Sequence, residues 1–284
     1  MQRDFIPSSH KQQPSVLSLF IMATALIFVC SLLFGGVTTR ANTSVDTNIT
    51  IGFIGDSLTY GAQATNPATD AAPLKATDYL GPNFTAINKG INGQTTANWA
   101  NNNCSRGPST CLADAISAFQ QANVDVVHIM LGTNDVTTTR RVSPITYYNN
   151  LQHIINQLKA AGFKRVVLAR PIYFSPQHNT NRDQQSLNTL ADGYYQALQA
   201  LVLKNHGYVL MGDTQAYEWF KNHYDFTGTA GTYYDDPTHP TSLGYDKLGE
   251  FWAAEIKTTL LTKTTPTKAY CKTIVGFRCS DAGF

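Results

Sequence analysis

The chain of 284 residues sets 21 Lys and Arg against 19 Asp and Glu, for a formal net charge of +2, and only 14% of its residues are charged. That balance leaves no electrostatic footprint for nucleic acid, and no run of Lys and Arg occurs anywhere along the sequence. A hydrophobic content of 43% suffices for one sizeable core, and the length suits one compact domain once an N-terminal segment is set aside.

That segment is residues 1–41. Val16 to Val37 is almost free of polar side chains. As a helix it would be roughly 33 Å long, enough to cross a bilayer. Its length fits a membrane anchor, and Thr39-Arg40-Ala41 offers a small-x-small cleavage site that fits a signal peptide. Either reading sends the following domain out of the cytoplasm, with attachment to a membrane through residues 16–37 if the segment is kept. A buried core helix fits less well, because the run is apolar all round.

Residues 42–48 read as a polar linker into a domain over 42–262. Ile49 to Ile54 is a compact apolar run ending at a glycine, a first strand, and Thr85 to Asn88 is a short second one. Leu112 to Ala122 reads as a helix. Val124 to Leu131 is continuously apolar, as a strand buried on both faces requires. Ser143-Pro144 opens a helix with serine as N-cap and proline in the first turn, and Gly162 closes it. Its inner face is predicted from Ile145, Tyr148, Leu151, Ile155 and Leu158. Val166 to Ala169 is the next strand, Arg182 to His206 a long helix closed by Gly207, and Tyr208 to Met211 another strand. Ser242 to Leu261 is the last helix, with Leu243, Leu248, Phe251, Trp252 and Ile256 facing inward. Strands alternating with helices predict a three-layer α/β/α domain around a doubly wound parallel sheet, with its chemistry at the carboxyl ends of the strands. A polar tail, 263–284, follows.

Cys30 lies in the apolar run. Cys104, Cys111, Cys271 and Cys279 remain, an even number in keeping with export. Pairing sequence neighbours gives Cys104–Cys111 and Cys271–Cys279, one of three connectivities that four cysteines allow. No CxxC pair and no histidine at ligand spacing points to a metal. N-x-[ST] triplets at Asn42, Asn48, Asn83 and Asn103 are glycosylation acceptors only where the source glycosylates.

Four short stretches have chemical potential. Gly55-Asp56-Ser57-Leu58 follows the first strand, where a serine can present its oxygen at the sheet edge and a backbone N–H near a helix start can hold an anion. A plain turn with serine as N-cap explains it equally well. In Asp236-Pro237-Thr238-His239-Pro240, an Asp three residues before a His can reach the imidazole Nδ1–H and leave Nε2 to accept a proton; a polar turn is the alternative. In Gly132-Thr133-Asn134-Asp135, after the apolar strand, the Asn amide can donate to a developing oxyanion. In Gly90-Ile91-Asn92-Gly93-Gln94-Thr95, a glycine can bring a backbone N–H close to substrate. Ordinary turns also account for these two. Asp56 and Asp135 read as residues that hydrogen-bond nearby loops, His128 as a satisfied core histidine, and His153, His178, His206 and His223 as surface or packing residues. The aromatic group from Tyr217 to Tyr234 reads as core, with some members able to line a cleft.

Taken together and in this order, the stretches resemble the SGNH (GDSL-type) hydrolase family over roughly residues 49–256. GDSLTYG is similar to the nucleophile block at Ser57, NKGINGQTT to the second block with Gly93, GTND to the third with Asn134, and DPTHP followed by TSLGY to the last with Asp236 and His239. The resemblance implies a flavodoxin-like sheet and an acyl-serine mechanism needing no cofactor. Ser57 would be nucleophile and His239 general base oriented by Asp236. The Ser57 and Gly93 N–H groups and the Asn134 side chain would form the oxyanion hole. No G-x-S-x-G, P-loop or GxGxxG is present. The expectation is an exported, monomeric esterase acting on a small-molecule or polysaccharide ester, with acetyl groups on carbohydrate favoured. Its rivals are a lipase, lysophospholipase or thioesterase of the same fold, an acyltransferase, and a binding module without catalysis.

Overall fold

The computed structural model describes residues 48–261. The segment 1–41, the tail 263–284, Cys30, Cys271 and Cys279 lie outside the described residues. Among the described residues no helix is long and apolar enough to cross a membrane.

Five strands form one parallel sheet: β1 (Ile49–Gly55), β2 (Phe84–Asn88), β3 (Val126–Met130), β4 (Val166–Leu168) and β5 (Val209–Met211). Their spatial order is β2-β1-β3-β4-β5, the flavodoxin-like winding. The register sets Gly55 beside Met130 at the carboxyl ends of β1 and β3. The chain winds outward in opposite directions from these two strands, and this switch point is where a crevice opens.

Period-2 alternation sorts the strand residues between two cores. Ile54, Val127, Ile129 and Leu131 face one side. There they meet α5 (Cys111–Gln121), α6 (Pro144–Ala160) and α8 (Tyr195–Lys204). Ile51, Phe53 and Met130 face the other side, against α3 (Ala72–Leu80), α9 (Ala216–Asn222) and α10 (Ser242–Leu261). The remaining helices are short: α1 (Ser57–Tyr60), α2 (Pro67–Asp70), α4 (Thr96–Ala100) and α7 (Gln184–Asn188). The predicted three layers and doubly wound parallel sheet are therefore present.

Several boundaries and faces differ from expectation. The helix opened by Ser143 begins as predicted, with the serine hydroxyl accepting from Thr146 N–H at 3.2 Å. However, Ile145 in its first turn is exposed, and Tyr147 and Ile154 complete the buried stripe. In α10, Leu243 is likewise exposed, and Tyr245 takes the inward place. The predicted long helix from Arg182 is three pieces. Asp183 caps α7 by accepting from Ser186 N–H at 2.8 Å, so Arg182 stands before the helix. A π-helical turn, Thr189–Tyr194, then separates α7 from α8. The widened turn lays Gly193 against Pro144 and stacks Tyr194 on Tyr147, with ring centroids 3.9 Å apart. An extra residue in one turn is the kind of insertion that no 3.6-residue pattern displays.

His128 is in the core but is not satisfied. Its ring lies 4.4 Å from that of Trp252 and 5.1 Å from that of Phe53, and neither ring nitrogen has a hydrogen-bond partner among the described residues. Burial pushes its pKa down from 6.5 to about 3, so the ring is neutral. The unfolded chain therefore binds a proton that the folded one refuses between about 6.5 and about 3, and stability falls as pH drops through that window. Asp56, Asp135 and Asp213, each raised to about 6 by burial, act in the opposite direction. Comparison of His128→Leu with the parent cancels their contribution. The variant is expected to lose less stability between pH 6.5 and 5, by roughly 1.4 kcal/mol per pH unit. Urea unfolding at the two pH values measures this, and equal acid slopes in both proteins would count against it.

Candidate active site

The crevice at the switch point is built by the loops that follow β1, β2 and β3 and by the loop that precedes α10. After β1, Asp56 caps α1 by accepting from Leu58 N–H at 3.0 Å. Ser57 becomes the first residue of that helix and is 7% exposed. After β2, the chain packs backbone to backbone on α1: a Cβ at Gly90 would lie 2.3 Å from Tyr60 N. Glycine is what permits that approach. Gly93 then takes φ = +76°, a left-handed conformation that L side chains rarely adopt, and turns the loop under the crevice. After β3, Asn134 is 8% exposed.

The loop before α10 carries Asp236 and His239. Asp236 Oδ1 accepts from the backbone N–H groups of Thr238 and His239, both at 2.7 Å, which folds the loop into a tight turn. Its other oxygen meets His239 Nδ1 at 2.7 Å. His239 Nε2 lies 2.8 Å from Ser57 Oγ. Partial burial pushes the Asp236 carboxyl up, but the hydrogen bond and charge of His239, with the two backbone donors, hold it at about 2. An ionised Asp236 takes the proton-bearing Nδ1 as its partner and leaves Nε2 facing the serine as an acceptor.

The donors stand opposite. The Asn134 side chain donates one Nδ2 hydrogen to the Gln94 carbonyl at 3.1 Å, and its second hydrogen has no partner among the described residues. The N–H groups of Ser57 and Gly93 are likewise unengaged among the described residues. A cavity of about 360 Å³ opens here, lined by Ser57, Ala62, Gln63, Asn92, Gly93, Arg106, Asn134 and His239. All five residues singled out for chemistry, Ser57, Gly93, Asn134, Asp236 and His239, are thus brought to one site. The described residues contain no cluster of His, Cys, Asp or Glu that could hold a metal ion.

Asp135 is completely buried and accepts from the Thr96 N–H and hydroxyl, tying the β3 loop to the start of α4. Asp56 also serves its loop, with one oxygen on Leu58 N–H and the other buried without a hydrogen-bond partner among the described residues. The aromatic group lies elsewhere. Tyr217, Phe220 and Tyr234 are buried, and Trp219 stacks on His223, but none of the group lines the cavity. Cys104, in the loop before α5, is joined as a disulfide to Cys111, the first residue of that helix.

A flavodoxin-like sheet with hydrogen-bonded Ser, His and Asp at its switch point, facing backbone and Asn donors, defines the class of carboxylic ester hydrolases called SGNH hydrolases. Residues 53–247 match the model of the GDSL-like lipase/acylhydrolase family, and the chain belongs to it. Solved structures share the fold at low identity. A lipase/acylhydrolase from Enterococcus faecalis is 20% identical, with a TM-score of 0.54, over 74% of this chain and 96% of that one. A carbohydrate acetylesterase family member from Sinorhizobium meliloti is 18% identical, with a TM-score of 0.55, over 75% and 100%. An aryl esterase from M. smegmatis is 18% identical, with a TM-score of 0.51, over 75% and 98%. No curated protein sequence gives a match.

Sequence reasoning missed Arg182. Its Nε donates to the Thr133 carbonyl at 2.8 Å, Nη2 to Asn134 Oδ1 at 3.1 Å and Nη1 to Thr238 Oγ1 at 3.3 Å. One planar guanidinium thereby holds the Asn134 amide with its second hydrogen available to the cavity and ties the β3 loop to the turn between Asp236 and His239. Arg182→Gln is expected to lower kcat by up to about 10²-fold, because small misplacements of catalytic groups are costly. Ester turnover measured beside thermal unfolding checks this, and a folded variant with parental kcat would remove Arg182 from any positioning role.

Proposed function

We propose that the protein is an exported esterase in which Ser57 attacks short-chain, chiefly acetyl, esters of carbohydrate. The unbroken hydrogen-bond path from Asp236 through His239 to Ser57 carries this reading. His239 takes the Ser57 proton as Oγ bonds to the carbonyl carbon. The carbonyl oxygen becomes an oxyanion, held by the Ser57 and Gly93 N–H groups and Asn134 Nδ2. His239 returns the proton to the leaving alcohol, and water repeats the sequence to free the acid and Ser57.

Cavity chemistry favours a short acyl group. Only Ala62 among the lining residues presents a wholly apolar side chain. Each buried methylene gains about 0.8 kcal/mol only against apolar surroundings, so a long chain gains little here. The polar lining suits a hydroxyl-rich alcohol. Export is supported by the apolar run Val16 to Val37 and by the Cys104–Cys111 disulfide, a bond that persists in oxidising compartments.

Two measurements test the reading. A fluorophosphonate probe should label Ser57 and lose that label in Ser57→Ala, while Asn134→Ala should retain labelling but lose roughly 10²–10³ in kcat. Absence of labelling in the folded parent would return the protein to a binding role. A series of acyl esters from acetate to decanoate, run beside acetylated sugars, should peak at acetate. A peak at long chains would overturn the acetyl assignment and leave the hydrolase reading intact.

A further inference from the structure

The cavity that contains Ser57 and His239 continues into a second one of about 370 Å³, lined by Gly93, Ser105, Arg106, Asn134, Thr137, Thr139, Arg140, Asn181 and Arg182. Gly93, Arg106 and Asn134 belong to both, so the two share a wall. Three guanidinium groups border this continuous space, and no carboxylate side chain lines either part. The acidic groups nearby are turned away from it. Asp236 is engaged by His239 and two backbone N–H groups, Asp135 by Thr96, and Asp56 is buried against α1.

The three arginines differ in what they already do. Arg182 is buried and spends three of its five N–H donors on Thr133, Asn134 and Thr238. Arg140 is exposed and spends one Nη1 hydrogen on the Asn134 carbonyl at 3.2 Å, leaving the rest of its fork open. Arg106 is exposed and has no hydrogen bond or ion pair among the described residues. Its side chain nonetheless lies over the oxyanion loop, with Nη1 3.8 Å from where a Gly93 Cβ would be. It sits inside the loop closed by the Cys104–Cys111 disulfide, whose neighbouring Ser105 N–H donates to Gln94 Oε1 at 3.3 Å. Two anchors thus hold an otherwise unused cation at the edge of the reaction site, which lowers the ordering cost of using it to bind.

We infer that the preferred ester carries an oxyanion group, a carboxylate, sulfate or phosphate, which Arg106 and Arg140 bind beside the scissile acetyl. This rests on the esterase reading above and specifies its substrate class: acidic rather than neutral acetylated saccharides. Planar guanidinium forks suit such groups, and charge-assisted bonds of this kind outweigh neutral ones.

The test compares hydrolysis of 3-acetoxybenzoate, 3-acetoxybenzenesulfonate and 3-acetoxyphenyl phosphate with that of neutral 3-acetoxybenzamide, using the full chain at low ionic strength. At least one anionic acetate is expected to exceed the amide in kcat/KM by about tenfold, and the one that does so identifies the oxyanion. The preference should shrink in about 0.5 M NaCl, where exposed charges are screened, and fall toward unity in Arg106→Gln and in Arg140→Gln. The ratio between substrates is the readout, so a general loss of activity in a variant does not imitate the effect. An acetylated uronic acid preferred over the matching neutral hexose would extend the result to saccharides. Equal kcat/KM for all four acetates in the parent overturns the inference while supporting the esterase reading. A preference that survives in both variants assigns the anion to other residues and also overturns it. Turnover of none of the four would strike at the esterase reading itself.

Discussion

The hydrogen bond between His239 Nε2 and Ser57 Oγ joins residues 182 positions apart, and the site exists only while the fold holds those two atoms 2.8 Å from each other. Neither side chain is fixed by its own loop alone. Ser57 owes its place to β1, an interior strand of the sheet, and to the Asp56 cap. His239 owes its place to α10, packed on the sheet through Leu248, Trp252 and Ile256. Tyr245 joins the two supports directly: from α10 its hydroxyl donates to the Ala62 carbonyl at 2.7 Å, just beyond α1. The apolar contacts of the second core are therefore the means by which the imidazole is aimed.

Two histidines of this chain show how surroundings alone assign a role. His239 has an ionised carboxylate on one nitrogen and a hydroxyl on the other, in a cavity that water can enter. His128, in the middle of β3, lies against the rings of Phe53 and Trp252, has no hydrogen-bond partner on its ring nitrogens among the described residues, and is held neutral by burial. The sequence places an equally suitable imidazole in both positions. Only the first is given an acid partner and access to solvent, and proton transfer requires both.

The sequence made the framework legible where one physical signal dominated. Val124 to Leu131 announced a strand covered on both faces, and the structure buries all of Val126–Met130 there. Ser143-Pro144 marked a helix start to the residue. The candidate site residues were legible because each lies in a loop that follows a strand or precedes a helix, Ser57 two residues beyond β1, Gly93 five beyond β2, Asn134 four beyond β3 and His239 three before α10, where short motifs survive as contiguous text. Elements whose residues send mixed signals were not legible. Helix α3 begins at Ala72 without a side-chain cap, and α9 sits inside an aromatic stretch that carries no clear period. The π turn hid within a pattern that still looked helical. Arg182 was lost for a related reason: it reads as the first residue of a long helix, whereas the Asp183 cap, one residue later, places it before α7 with its guanidinium turned inward.

The charge balance illustrates the same limit from the other side. With no run of Lys and Arg in the sequence, the charge balance offers no footprint for nucleic acid, and it is silent about the site. Arg106, Arg140 and Arg182 come from three different loops and converge only because the segments following β2, β3 and β4 meet beside the switch point. The place of Arg106 is set in turn by the Cys104–Cys111 bond, which closes the loop carrying it. Opening it would restore conformational freedom to that arginine while leaving Ser57, His239 and Asp236 on their own supports. Hydrolytic chemistry and the anion recognition proposed above thus rest on separate constraints: the former on the packed second core, the latter on a covalent tie of the kind that persists in oxidising compartments.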